Sequence, residues 1–101
     1  MVFTIIANLH AKSGEDIEAQ LRAKLAEASK TYSADASVLG WYTLHNTDDS
    51  RKWTIVKRLD QESSVTKNRD DPEFKAFGAS LLPLLENGRD SLTVYQFDEV
   101  L

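Results

Sequence analysis

The sequence predicts a ferredoxin-like α+β fold, in which two helices pack on one face of a four-stranded antiparallel sheet. Three observations support this class. Segments with strand or helix periodicity follow one another in the order strand, helix, strand, strand, helix, strand. The two central strands flank a run of turn residues at 46–50, which is typical of a β-hairpin. Each helical segment carries one apolar stripe, as expected of a helix that covers a sheet.

The first strand is predicted over residues 2–11. It alternates between an apolar face that begins at Phe3 and a mixed face that carries Asn8 and His10. Ser13 is placed to cap the following helix, and Asp16 would complete a capping box with it. An apolar stripe at helical spacing then predicts a helix of about four turns, followed by a connection over residues 30–37.

Two strands are predicted at Val38–His45 and Trp53–Leu59. Simple alternation in the first of them places Leu39 and Trp41 on one face, with Val38, Tyr42 and Leu44 on the other. A short helix capped by Asp60 is expected next. A longer helix then begins at Asp71 and Pro72, buries Phe74, Phe77 and Leu81, and is kinked or ended by Pro83. The last strand is predicted at Leu92–Glu99.

Composition limits the classes of function. With 101 residues, the chain is expected to form one domain over residues 1–101 around a single core. The net charge of -4 and the lack of a basic stretch argue against nucleic-acid binding. The sequence contains no cysteine and only two histidines, which are not at zinc spacing, so no metal site is expected. A signal peptide and a membrane-spanning segment are also not expected, and the predicted location is cytoplasmic.

Large apolar side chains occur on both faces of the predicted central strands. Two helices can cover only one face of the sheet, and a bare apolar face would exceed what soluble monomers normally expose. We therefore expect a homodimer whose sheets pack face to face. A space walled by aromatic groups between two twisted sheets is a typical small-molecule pocket.

Lys57 is the one cation in the row of bulky apolar groups on one face of the third strand. It alternates with Trp53, Ile55 and Leu59 on the same face. An ammonium group is costly to bury without a partner, so this face should meet a counter-charge, contact water or line a pocket. An ion pair across the dimer is the structural alternative to a role in binding or catalysis.

The chain resembles the antibiotic biosynthesis monooxygenase (ABM) family of dimeric α+β barrel proteins. The match extends along nearly the whole chain, through the strand ending AKSGE, VLGWY, NTDD, DDPEFKAF and LLPLLE. The resemblance implies a homodimer with an active site between helices and sheet or inside the barrel. It also implies an enzyme that often uses molecular oxygen without a metal or flavin cofactor.

The chain departs from that family at positions that carry chemistry. Members commonly have Glu and Trp near the end of the third strand, where this chain has Lys57 and Leu59. A His that is frequent in the following helix falls near Asn68. Members that oxidise aromatic polyketides have Asn and Trp where this chain has Ile55 and Leu59. The resemblance therefore does not extend to haem degradation, which needs the strand Trp and the helix His, and the usual catalytic set of the quinone-forming members is also absent.

Three residues are candidates for catalysis. His10 could act as a general base on a phenol or an enolisable carbon, and Asn8 could hold the developing oxyanion. Lys57 could bind an acidic substrate, stabilise an enolate or act as a base. The structural alternative for His10 and Asn8 is the wet end of a strand. His45, beside the hairpin turn, is expected to be exposed.

The candidate substrate-binding residues are mostly aromatic or apolar. Trp41 and Trp53 could stack on a flat ligand, although aromatics on strands are commonly core. Tyr42 could direct its hydroxyl into the cavity, and Asn68 could face the cleft. The full candidate set is Trp41, Tyr42, Trp53, Ile55, Leu59, Asn68 and Phe77.

These observations favour a cofactor-independent monooxygenase that acts on a small electron-rich aromatic or polyketide-like substrate. Two alternatives are a cyclase or isomerase that only transfers protons and a dimeric module that binds small molecules without catalysis.

Overall fold

The computed structural model describes residues 2–64 and 70–100 and confirms the predicted ferredoxin-like α+β fold. Four antiparallel strands form one sheet in the order β2-β3-β1-β4. The elements in chain order are β1 (Phe3–His10), α1 (Glu15–Ser33), β2 (Val38–His45), β3 (Lys52–Leu59), α2 (Pro72–Leu81) and β4 (Leu92–Asp98). Most of the short helix predicted after Leu59 lies outside the described residues.

The sheet register decides which residues share a face. Lys57 lies directly opposite Ile5 of β1 and Trp41 of β2. Residues at directly opposed positions point to the same side of a sheet. We call the side that carries these three residues and packs against the helices the inner face. The outer face, on the other side, carries Ile6 and Val56.

Helix α1 differs from its prediction at both ends. Ser13 does not cap it, because the N-cap residue is Gly14, whose φ of 124° favours glycine, and no side chain caps the helix. The helix also continues through Ser33, where a connection was predicted from residue 30. Tyr32 explains the extension, since its buried ring stacks on Trp41 with centroids 5.3 Å apart. That tertiary contact favours the additional turn.

The alternation predicted for the start of β2 was wrong. A register shift lies between Val38 and Gly40, so the strand gains a residue relative to β3 at this point. Val38 and Trp41 are consequently both buried, each 8% exposed, whereas Leu39 is 50% exposed. The rest of β2 alternates as predicted.

Helix α2 ends as predicted. Leu81 is its last residue, and Pro83 lies in a 3-10 turn formed by Leu82–Leu84. Leu85 follows in extended conformation and is fully buried, bridging to Ala11 just after β1. A second 3-10 turn, Gly88–Ser91, leads into β4. Within residues 2–64 and 70–100, no helix has both the length and the apolar character needed to span a membrane.

The middle of the outer face is apolar, and no element within residues 2–64 and 70–100 covers it. Its large side chains are close to half exposed: Tyr42, Leu44, Tyr95 and Phe97. At one end of this face, Glu99 accepts hydrogen bonds from Arg58 and from the hydroxyl of Thr4. These donors lower the pKa of Glu99 to about 2. Asn8, His10 and Thr54 lie toward the other end of the outer face, and between the two polar ends the face presents apolar side chains to solvent.

Candidate functional site

A cleft of about 560 Å³ lies between α2 and the inner face of the sheet. Its walls are almost entirely apolar, and its polar lining consists of Lys57 with Arg89 and Gln96. Two aromatic residues of α2, Phe74 and Phe77, face Trp41 and aliphatic residues of the strands. The apolar lining residues are Ile5, Ala7, Leu9, Trp41, Ile55, Phe74, Phe77, Leu81, Leu92 and Val94. Such walls with few polar groups are typical of small-molecule sites.

Lys57 has an environment that is unusual for an amine. Its side chain is only 4% exposed, and its Nζ atom has no hydrogen-bond partner among the described residues. Instead, three aromatic rings surround it. Nζ lies 4.8 Å from the ring centroid of Phe74, 5.4 Å from that of Tyr32 and 5.7 Å from that of Trp41. We call these three rings the aromatic cage of Lys57.

Burial lowers the pKa of Lys57, because desolvation penalises the ammonium form. The negative charges of Asp35 and Asp71 act in the opposite direction, but they do not cancel the effect of burial. The aromatic faces of the cage also favour the cation. The net result of these effects is an amine that is neutral a larger fraction of the time than the amine of an exposed lysine at the same pH.

This arrangement can perform two kinds of chemistry. A neutral buried amine can remove a proton from a substrate, and the resulting ammonium can then stabilise the anion that forms beside it. Because apolar groups surround the amine, both effects operate with little competition from water. Among the described residues, no three side chains of His, Cys, Asp or Glu come together as a metal site.

The structure brings some of the predicted binding residues to this cleft. Trp41, Ile55 and Phe77 line it beside Lys57. Leu59 is fully buried in the core, and Tyr42 lies on the outer face. Asn68 lies outside the described residues.

Trp53 is on the inner face but away from the cleft. Its ring stacks on His45, with centroids 3.9 Å apart and planes inclined by 12°. His45 is half-buried rather than exposed as expected, and its Nε2 lies 2.7 Å from the carbonyl oxygen of Ser50. The guanidinium of Arg22 lies 5.3 Å from the Trp53 ring centroid. Trp53 therefore joins α1 to the hairpin end.

His10 and Asn8 are on the outer face and do not converge with Lys57. They line a separate depression of about 420 Å³ at one end of the sheet. Nδ1 of His10 lies 3.5 Å from the carboxylate of Glu86. The side-chain Oδ1 of Asn8 accepts a hydrogen bond of 2.7 Å from the hydroxyl of Thr54. The structure thus brings His10 and Asn8 together and places the sheet between them and Lys57.

Sequence reasoning missed four residues of the cleft region. The sequence pattern places Tyr32 in a connection and Phe74 in the core. It gives no role to Arg89 or Gln96, although Gln96 follows Val94 by two residues and so shares its strand face. No sequence signal distinguished Arg89, because it lies in the turn before β4.

The fold and the cleft define the chain as a ferredoxin-like α+β protein that carries a buried lysine in an aromatic cavity. No protein-family model matches the sequence, and no curated protein matches it. Solved structures do match over nearly the full chain.

One similar structure is a proposed antibiotic biosynthesis monooxygenase from Deinococcus radiodurans, with a TM-score of 0.83 and 14% identity, covering 100% of this chain and 94% of that one. A variant of SnoaB, a cofactor-independent oxygenase from Streptomyces nogalater, has a TM-score of 0.83 and 10% identity over 99% and 94%. A dimeric ferredoxin-like protein of unknown function from Jannaschia sp. CCS1 has a TM-score of 0.75 and 12% identity over 98% and 100%. At sequence identities this low, the structural similarity establishes a shared fold alone.

Proposed function

We propose that this protein is a cofactor-independent monooxygenase that oxidises a small, electron-rich aromatic substrate in the cleft. The observation that carries the proposal is the buried amine of Lys57, which has no hydrogen-bond partner among the described residues and belongs to a residue that lines an apolar cavity. The resemblance to the ABM family and the fold shared with SnoaB and the Deinococcus protein support this class of reaction.

In the proposed reaction, a flat substrate such as an anthrone lies against Trp41, Phe74 and Phe77. The neutral amine of Lys57 takes one proton from the acidic carbon, and the resulting carbanion is delocalised over the aromatic rings. The carbanion passes one electron to molecular oxygen, and the radical pair combines to form a carbon–oxygen bond. The ammonium of Lys57 returns its proton to the peroxide. The hydroperoxide then loses its terminal hydroxyl group, together with the second hydrogen of that carbon, as water, and this leaves the ketone. One substrate and one O₂ therefore yield one quinone-type product and one H₂O.

Oxygen uptake with a panel of anthrones and hydroquinones tests this proposal. The wild-type protein should consume one O₂ per product, and Lys57→Met, which keeps the side chain's length without the amine, should lose turnover at least a hundredfold. Lys75→Met, at an exposed position of α2, serves as the control and should retain full activity. Product formation without oxygen consumption would contradict the oxygenase assignment.

The sequence-based assignment of His10 and Asn8 as catalytic residues can be tested in the same assay. Both lie on the other side of the sheet from the cleft, so His10→Ala and Asn8→Ala should leave turnover unchanged. A loss comparable to that of Lys57→Met would instead place the reaction at the outer-face depression.

A proton-transfer enzyme, such as a cyclase or isomerase, is the second candidate. The same amine favours it, because proton transfer requires only the base and a bound carbon acid. Solvent deuterium exchange into the substrate under argon distinguishes the two functions: exchange with rearranged product identifies an isomerase. Binding of the panel without either reaction would identify a non-catalytic binding module.

We further propose that the protein acts as a homodimer through its outer face. The half-exposed side chains of Tyr42, Leu44, Tyr95 and Phe97 form an apolar surface that no described element covers. The dimeric ferredoxin-like protein from Jannaschia shares the fold. Sedimentation should give twice the chain mass of 11.4 kDa at micromolar concentration, and a single-chain mass would contradict the assembly.

A further inference from the structure

The amine of Lys57 differs from the other described lysines in its surroundings. Lys52 and Lys75 are exposed to solvent. Lys57 is 4% exposed, lies on the wall of the cleft and has aromatic rings around its amine, which no acceptor in the described part of the chain hydrogen-bonds. An amine that is desolvated in a hydrophobic pocket is an activated nucleophile, because its lone pair is free more of the time.

Among the described residues, the charged groups that act on Lys57 are the carboxylates of Asp35 and Asp71, and both favour the ammonium form. The aromatic cage also favours it. Burial nevertheless dominates and lowers the pKa of Lys57. Its amine should therefore react at neutral pH faster than an exposed lysine reacts.

We infer that Lys57 is a nucleophile that forms an imine with a flat aromatic aldehyde or ketone bound in the cleft. The lone pair of Nζ attacks the carbonyl carbon, and the carbonyl oxygen takes up a proton to give a carbinolamine. One proton of the nitrogen supplies the hydroxyl hydrogen of the carbinolamine, and loss of the hydroxyl group with the one remaining nitrogen proton, as water, then forms the carbon–nitrogen double bond. One amine and one carbonyl compound give one imine and one water, and no oxidant is needed.

The lining of the cleft defines the class of carbonyl compound. Phe74, Phe77 and Trp41 favour a flat, apolar ring system in contact with Lys57. Arg89 and Gln96 add the polar part of the lining and could bind an oxygen substituent on the far side of the ring. An aromatic aldehyde with two fused rings therefore fits better than a small aliphatic aldehyde.

Reductive trapping of the wild-type protein tests this inference. The protein is incubated at pH 7 with 2-naphthaldehyde and sodium cyanoborohydride, and the modified lysines are located by peptide mass spectrometry. Lys57 should be labelled at least tenfold faster than Lys52 or Lys75. An excess of 2-naphthylmethanol, which has the same ring system without a carbonyl group, should slow labelling of Lys57 at least fivefold and leave the exposed lysines unaffected.

Two outcomes would overturn the inference. One is labelling of Lys57 at or below the rate of the exposed lysines. The other is labelling of Lys57 that 2-naphthylmethanol does not slow. The trapping is performed under argon and needs no turnover, so it is independent of the proposed oxygenase activity. If Lys57 is trapped but no oxygen is consumed, this inference stands and the proposed function is contradicted. If oxygen is consumed but Lys57 is not trapped, the proposed function stands and this inference is contradicted.

Discussion

Lys57→Met is expected to stabilise the protein while removing its proposed chemistry. The wild-type amine is buried without a hydrogen-bond partner among the described residues. Burying an unsatisfied polar group costs about 1–3 kcal/mol in proteins. Methionine fills nearly the same volume, adapts to aromatic neighbours and removes that cost. The free energy of unfolding should therefore rise by about 1–3 kcal/mol, and each kcal/mol raises the Tm of a domain this size by roughly 4–8 °C.

Urea and thermal unfolding of the two proteins at pH 7 measure this effect. Both must be measured at the same protein concentration, because self-association would shift apparent stability. Lys75→Met, on the exposed surface of α2, should change stability by no more than about 0.5 kcal/mol. A Lys57→Met protein less stable than the wild type by 1 kcal/mol or more would show that the lysine is favourably paired, and it would refute the reasoning.

The pH dependence of stability tests the direction of the Lys57 pKa shift independently. Because the pKa of Lys57 is lowered on folding from 10.5, the unfolded chain binds more protons at this residue between the folded-state pKa and 10.5. The wild-type protein therefore gains stability as pH rises through that window. The advantage of Lys57→Met should be largest below the folded-state pKa and should shrink toward pH 10.5. An advantage that grows with pH would contradict the direction of the shift.

Three further predictions concern the fold. Glu99→Gln should be less stable than the wild type above pH 4.5. This difference in stability should disappear as pH falls through about 2, because protonation of wild-type Glu99 then removes its pairing with Arg58 and Thr4. Urea unfolding between pH 7 and pH 2 measures the difference, and a difference that does not change with pH would contradict the prediction. Gly14→Ala should cost about 1–3 kcal/mol, because a φ of 124° strains other residues; a change below 0.5 kcal/mol by thermal unfolding would contradict this. Leu85→Ala should cost about 2–5 kcal/mol, because the side chain is fully buried, and a urea midpoint close to wild type would count against that packing.

Local sequence patterns were sufficient for most of the fold. Alternation in β3 placed Lys57 on the same face as Trp53 and Ile55, and the structure confirms it. The bulge after Val38 could not be predicted in this way, because a bulge depends on how β2 aligns with β3 rather than on either strand alone. The end of α1 was missed for a similar reason, since the contact of Tyr32 with Trp41 is tertiary.

The separation of His10 from Lys57 could have been predicted from the sequence. His10 belongs to the mixed face of β1, whereas Lys57 belongs to the apolar face of β3. The apolar faces of neighbouring strands pack against the same helices, so the two residues had to lie on opposite sides of the sheet. The aromatic cage could not be inferred, because its members come from α1, β2 and α2 and meet only through packing.

The two faces of the sheet should act independently if the outer face forms the dimer and the inner face holds the reactive lysine. Phe97→Lys places a charge on the outer face, so it should weaken self-association at least tenfold in sedimentation equilibrium. Lys57 lies across the sheet, and its trapping rate with 2-naphthaldehyde should stay within twofold of wild type. This separation also argues against an ion pair between Lys57 and a partner subunit through that interface. A monomeric Phe97→Lys protein that is folded but no longer trapped at Lys57 would show that the second subunit completes the cleft.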